Sequence, residues 1–162
     1  MKVFAVVGWK DSGKTTLVER LVAHFAERGV HVATVKHTHH AFLMDREGTD
    51  TDRHRRAGAR QVAMVGANGW TLARTQRDPS LQAVLYRLEG AQVVIVEGYK
   101  RSRLPKIEVI ADPGVERLWR SDDNVVAVAS EIEDPDCPLP RFARDDVSAL
   151  AAAVMDSLDV PA

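Results

Sequence analysis

The sequence predicts an α/β domain built on a mainly parallel sheet, and three observations carry that prediction. Short runs of apolar, β-branched residues, "VFAVV", "VHVATV" and "VVIV", recur along the chain and alternate with stretches of helical periodicity. The runs are apolar throughout rather than alternating, as strands covered on both faces are. The first of them turns through a glycine-containing loop directly into a helix-forming segment. With 162 residues and 45% apolar content, the chain has the length and the core material for one domain, residues 1–162.

Taken in order, "VFAVV" is the first strand. Leu17, Leu21 and Phe25 then stand four apart with Val18 and Val22 beside them, a helical stripe for which Gly29 is a natural stop. "VHVATV" follows as a second strand, completing a strand–helix–strand crossover. "VAMVGA" and "WTLAR" flank Asn68-Gly69, a type I′ hairpin signal, so an antiparallel pair is expected toward an edge of the sheet. In "DPSLQAVLYRLEG" Asp78 is the expected N-cap and Pro79 the first helical residue, with Leu81, Val84, Leu85 and Leu88 on one face. "VVIV" reads as a central buried strand, and "IEVI" and "VVAVA" as two more. "EDPDCPLP" must be loop. Val147, Leu150, Ala151, Val154, Met155 and Leu158 close the chain with an amphipathic helix.

Composition narrows the function. The formal net charge of −1 argues against general nucleic-acid binding, which shows a basic excess, although "RHRRAGAR" and "YKRSRLPK" are locally basic. With Cys137 as the only cysteine, no intrachain disulfide and no CxxC pair can form. The opening apolar run is too short for a signal peptide, and no run approaches the roughly 20 apolar residues of a membrane span. A cytoplasmic protein with no membrane partner is expected.

The stretch "GWKDSGKTT", residues Gly8, Trp9, Lys10, Asp11, Ser12, Gly13, Lys14, Thr15 and Thr16, contains G-x-x-x-x-G-K-T between a strand and a helix. That is the phosphate-binding loop in the context that gives it meaning. Glycines let backbone N–H groups converge on phosphate oxygens, and the helix N-terminus adds partial positive charge. Lys14 is expected to reach the β- and γ-phosphates and the Thr15 hydroxyl to ligate Mg2+. The metal needs an acidic partner at a neighbouring strand end, and Glu97 closes "VVIVE" there. Asp50 and Asp45 are alternatives, with Asp50 equally readable as a helix N-cap. The fold expected is therefore a three-layer, P-loop NTPase-type one. The Asn-Lys-x-Asp pattern that reads guanine in many GTPases is absent, so these residues show a triphosphate site without its base.

Four of the six histidines, His37, His39, His40 and His54, follow the second strand. With Lys36, Arg53, Arg55 and Arg56 they offer phosphate donors; as imidazoles they offer a transition-metal site, though without zinc-motif spacing. Lys100, in "EGYKRSRLPK", is the basic residue expected nearest the γ-phosphate.

Together, "GWKDSGKTTL", "VKHTHH", "GTDTDRHRRAGA" and "VVIVEGYK" resemble the molybdopterin-guanine dinucleotide biosynthesis protein B (MobB-like) family, from the first strand to about Glu108. The resemblance implies a homodimer that binds GTP and Mg2+ and hydrolyses GTP slowly. It also implies an accessory role beside a MobA-like nucleotidyltransferase that joins GMP to molybdopterin, with molybdopterin as a further ligand. By position, Gly13, Lys14 and Thr15 would hold phosphate, and Thr15, Glu97 and Asp50 would serve the metal. Lys14 and Glu97 are the candidate catalytic residues, and His37, Asp50 and Lys100 would line the rim. A small-molecule or nucleoside kinase and a metallochaperone GTPase are the competing readings.

Overall fold

The computed structural model describes residues 1–38, 45–76 and 78–159. The chain divides into two compact units, Met1–Thr38 with Leu88–Ala162, and His39–Arg87. His39 and His40 of the histidine cluster lie outside the described residues.

The first unit holds β1 (Lys2–Gly8), α1 (Lys14–Ala26), β2 (Val32–Lys36), β5 (Val93–Glu97), β6 (Lys106–Val109), β7 (Val125–Ala129), β8 (Arg141–Phe142) and α4 (Val147–Asp159). Its strands form one six-stranded sheet in the order β2-β5-β1-β6-β7-β8, parallel at every pairing. The expected crossover is present, but β1 and β2 are not neighbours, because β5 lies between them. Parallel strands run all their C-terminal ends to one rim, which gathers the chemistry of this chain.

The unbroken apolar runs are explained by burial. Phe4 to Val7 of β1 and Val94 to Val96 of β5 are 0% exposed, so residues pointing to either face are covered. One face carries both helices: Leu17, Leu21 and Phe25 of α1 and Leu150, Ala151 and Val154 of α4 pack against Phe4, Val6, Ile95, Ile107 and Val109. Each large apolar side chain removed from water there contributes roughly 1.5–3 kcal/mol. The helical spacing seen in the sequence is thus the stripe that meets the sheet. α1 ends where Gly29 was expected to stop it, with Val30 N–H donating to Phe25 O at 3.1 Å.

The second unit holds α2 (Asp50–Arg56), β3 (Gln61–Gly66), β4 (Gly69–Arg74) and α3 (Leu81–Leu85). The hairpin forms, but as a separate two-stranded antiparallel sheet and not on an edge of the parallel one. Gly66 pairs with Gly69, so the turn is Ala67–Asn68, one residue earlier than the dipeptide suggested. Neither turn residue has positive φ, so the turn is not type I′. α3 is capped by Ser80, whose hydroxyl accepts from Ala83 N–H, instead of by Asp78. Asp78 itself sits at φ 44°, away from the extended conformation that a cap needs. Of the expected face of α3 only Leu85 is buried. The two-residue β8, after the proline-rich loop, has no counterpart among the strands read from sequence.

Candidate functional site

The phosphate-loop sequence lies where β1 runs into α1. Gly8 has φ +149°, and a Cβ there would lie 2.5 Å from Val109 O and 2.7 Å from Ser12 Oγ. Glycine is therefore what lets the loop leave the sheet against β6. Gly13, at φ +92°, is the residue before α1, and it gives that helix no side-chain cap. The first turn of α1 also lacks an acidic residue. Its N–H groups and partial positive charge are thus left for an anion.

Lys14 folds back over the loop, its ammonium donating to Trp9 O and lying 3.5 Å from Ser12 Oγ. Burial, and then the Lys100 charge, hold its pKa below the usual lysine value, against the pull of Glu97 and Asp11. An incoming anion would offset both effects by favouring the charged ammonium.

Strand register builds the rest of the rim. Lys36 at the end of β2 is the pairing partner of Glu97 at the end of β5, which also pairs with β1. Thr15 Oγ1 donates to Glu97 Oε1 at 2.9 Å, and Lys36 Nζ stands 3.1 Å from the same oxygen. The Glu97 side chain is 12% exposed, so this carboxylate is largely withdrawn from water yet paired. Glu97 O accepts from His37 N–H at 2.9 Å, which sets His37 on the rim with its ring 4.4 Å from that of Tyr99.

Lys100 does not point freely to solvent. Its Nζ lies 3.7 Å over the Trp9 ring, while Trp9 Nε1 donates to Glu116 O at 2.7 Å. Burial lowers the Lys100 pKa, opposed by Glu108 and Glu116. Glu108, fully buried on β6, accepts from Leu118 and Trp119 N–H at 2.8 and 2.9 Å. Burial raises its pKa, and those two bonds work the other way. Sequence reasoning missed this arm, in which Glu108 pins the segment whose Glu116 carbonyl holds Trp9. It also left Lys36 as one donor among many, although its strand-end position, like that of Glu97, was the available signal.

Of the remaining expected residues, Lys10, Asp11 and Thr16 are exposed, with Asp11 in the left-handed region at φ 59°. Asp50 belongs to the second unit as the first residue of α2. Its side chain is 89% exposed and 3.6 Å from Arg53. Thr49, not Asp50, caps that helix. The buried carboxylate there is Asp52, paired with Arg55 and Arg56. Asp45 accepts from the Thr49 and Thr51 hydroxyls. The second unit also contains a cavity of about 440 Å3 lined by Asp45, Arg55, Met64 and Arg74 among others. Among the described residues no group of three or more histidine, cysteine or acidic side chains is placed to hold a metal ion.

The parallel sheet and the loop at its first strand place the chain among P-loop NTPase-like α/β proteins. Its particular family is shown by comparison: the model of the family described as molybdopterin guanine dinucleotide synthesis protein B matches residues 3–131, and the chain belongs to that family. The match runs past Glu108, where the motif resemblance ended, and through β7. The chain is 32% identical over 131 residues to the molybdopterin-guanine dinucleotide biosynthesis adapter protein of Haemophilus influenzae, covering 79% of this chain and 74% of that one. It is 31% identical over 137 residues to the protein of that name from Escherichia coli, covering 80% and 78%. Among solved structures, Bacillus subtilis MobB superposes with a TM-score of 0.75 at 26% identity, covering 99% of this chain and all of that one. A MobB homolog from Bacillus stearothermophilus gives 0.70 at 30% identity, covering 98% of each chain.

Proposed function

We propose that this protein is a GTP-binding adapter of molybdenum cofactor biosynthesis that works beside a MobA-like nucleotidyltransferase during formation of molybdopterin guanine dinucleotide. The observation that carries the proposal is the convergence of Lys14, Thr15, Lys36 and Glu97 on one rim within a chain of this family. The adapter names of its relatives support the same role.

The Thr15 hydroxyl and Glu97 carboxylate, 2.9 Å apart, are hard oxygen donors of the kind Mg2+ takes. Bound there, the ion would neutralise phosphate charge. The loop glycines would admit the phosphates, and Lys14 would turn from Trp9 O toward them. Lys36, already on Glu97, would be the next cation within reach. Hydrolysis in this reading is slow and secondary to presenting nucleotide to a partner.

A homodimer is part of the proposal. On one side of the hairpin Val65 pairs with Trp70 and Ala63 with Leu72, and Val65, Trp70 and Leu72 are 81%, 67% and 50% exposed. A two-stranded sheet is marginal by itself, and such a patch favours a covering copy.

Calorimetric titration with GTP and ATP in Mg2+ tests the nucleotide claim. We expect GTP to bind at least about tenfold more tightly, a difference of about 1.4 kcal/mol. No binding of either nucleotide, or equal binding of both, would overturn it.

A further inference from the structure

The rim has a third part beyond the phosphate loop and Glu97, at the ends of β7 and β8. Glu131 follows β7 and Arg144 follows β8, and these parallel strands end on the same side as β1. The two residues are locked together: Arg144 N–H donates to Glu131 Oε1 at 3.0 Å, and Arg144 Nε donates to Oε2 at 2.5 Å. Arg20 of α1 reaches the Arg144 carbonyl at 3.4 Å. The Arg144 guanidinium lies beside the phosphate loop, its Nη1 3.6 Å from where a Cβ on Gly13 would stand. This Glu–Arg pair therefore stands beside the nucleotide loop, and its side chains remain 51% and 39% exposed.

Resting on the nucleotide reading above, we propose that the Glu131 carboxylate, seated by Arg144 next to Gly13, reads the purine base and selects guanine over adenine. An ionised carboxylate only accepts, and each oxygen has two acceptor sites. Arg144 donates once to each oxygen, and the carboxylate, half exposed, keeps acceptor capacity for a ligand that offers two adjacent donors. Guanine offers that edge, its N1–H beside its N2 amino group. Adenine presents N1, an acceptor, at the corresponding position, and a carboxylate repels it. A missing Asn-Lys-x-Asp pattern is then no obstacle, because the acceptor pair comes from a strand end and its seating cation from the next strand. Arg144, near Gly13, is left to face the ribose and phosphates.

The test is equilibrium binding of GTP, ITP, XTP and ATP, each with Mg2+, to the wild-type chain and to Glu131→Gln and Arg144→Ala. The wild type is expected to bind GTP about tenfold or more above ITP, which lacks the amino group, since a bond to a charged acceptor is lost. Glu131→Gln should lose GTP affinity by about tenfold or more, keep ATP affinity within about threefold, and gain XTP, whose 2-oxo group accepts from the new amide. Arg144→Ala should weaken all four nucleotides. A wild type that prefers GTP, with that preference intact in Glu131→Gln, would overturn this inference and leave the nucleotide site standing. Equal loss of GTP and ATP in Glu131→Gln would make the residue structural and also overturn it. A folded wild type that binds no nucleotide would overturn both this inference and the reading it rests on.

Discussion

At the scale of single residues, the rim is built from side chains whose polar contacts stay inside it. The ammonium of Lys14 touches the loop at Trp9 O and Ser12 Oγ. Removing it should therefore cost binding more than folding. A charge-assisted bond is worth about 1.5–3 kcal/mol, so Lys14→Ala should bind GTP at least about tenfold more weakly with its thermal midpoint nearly unchanged. Calorimetry and a melting curve check both halves; unchanged affinity in the folded variant would contradict the assignment. Glu97 is paired with Thr15 and Lys36 through Oε1, and its carboxylate is the hard anionic donor on this rim suited to a cation. Glu97→Gln should keep most GTP affinity and lose Mg2+-dependent hydrolysis, measured as phosphate release across a Mg2+ titration. Wild-type hydrolysis at every Mg2+ concentration would move the metal role to another acid, with Asp50 the next to test.

At the scale of elements, strand ends do most of the work, and Glu108 in mid-strand shows what a buried charge does between them. It is 0% exposed, and burial holds its carboxyl above the 4.5 of a free glutamate. The unfolded chain releases this proton near 4.5, while the folded chain keeps it to higher pH. Over that window the unfolded state binds fewer protons, so the contribution of Glu108 to stability falls as pH rises. Urea unfolding of wild type and Glu108→Gln should show wild type losing stability relative to the variant as pH rises from about 4.5; a difference that grows or stays flat would contradict this. The elements differ in how far the sequence announced them. Glu97 was legible because an apolar run must end at a rim, and α1 and α4 because their stripes are long enough to show period. The seating of Trp9 was not, since its partner Glu116 stands 107 residues away and only the fold brings them together. The cap of α3 was misassigned because Asp78-Pro79 has the right residue types, whereas Ser80, at φ −62° and ψ 148°, has the right backbone. β8 escaped because two residues carry no periodicity.

At the scale of the whole molecule, the apolar hairpin and the rim make separate claims. If a second copy covers Val65 and Trp70, Trp70→Lys should shift the protein from dimer to monomer in sedimentation without unfolding the parallel sheet, seen as an unchanged far-ultraviolet spectrum. A variant that stays dimeric would place the interface elsewhere. The basic segments around Arg53–Arg56 and Lys100–Arg103 should also make anion-dependent contacts weaken as salt rises. Nucleotide at the rim is proposed to serve a partner enzyme, which is tested by co-precipitation of this chain with a molybdopterin nucleotidyltransferase in GTP, in ATP and without nucleotide. The expected result is a complex that GTP strengthens over ATP and that Lys14→Ala no longer gains from GTP. No complex under any condition, together with phosphoryl transfer from the nucleotide to a small acceptor, would contradict it and establish the kinase in its place.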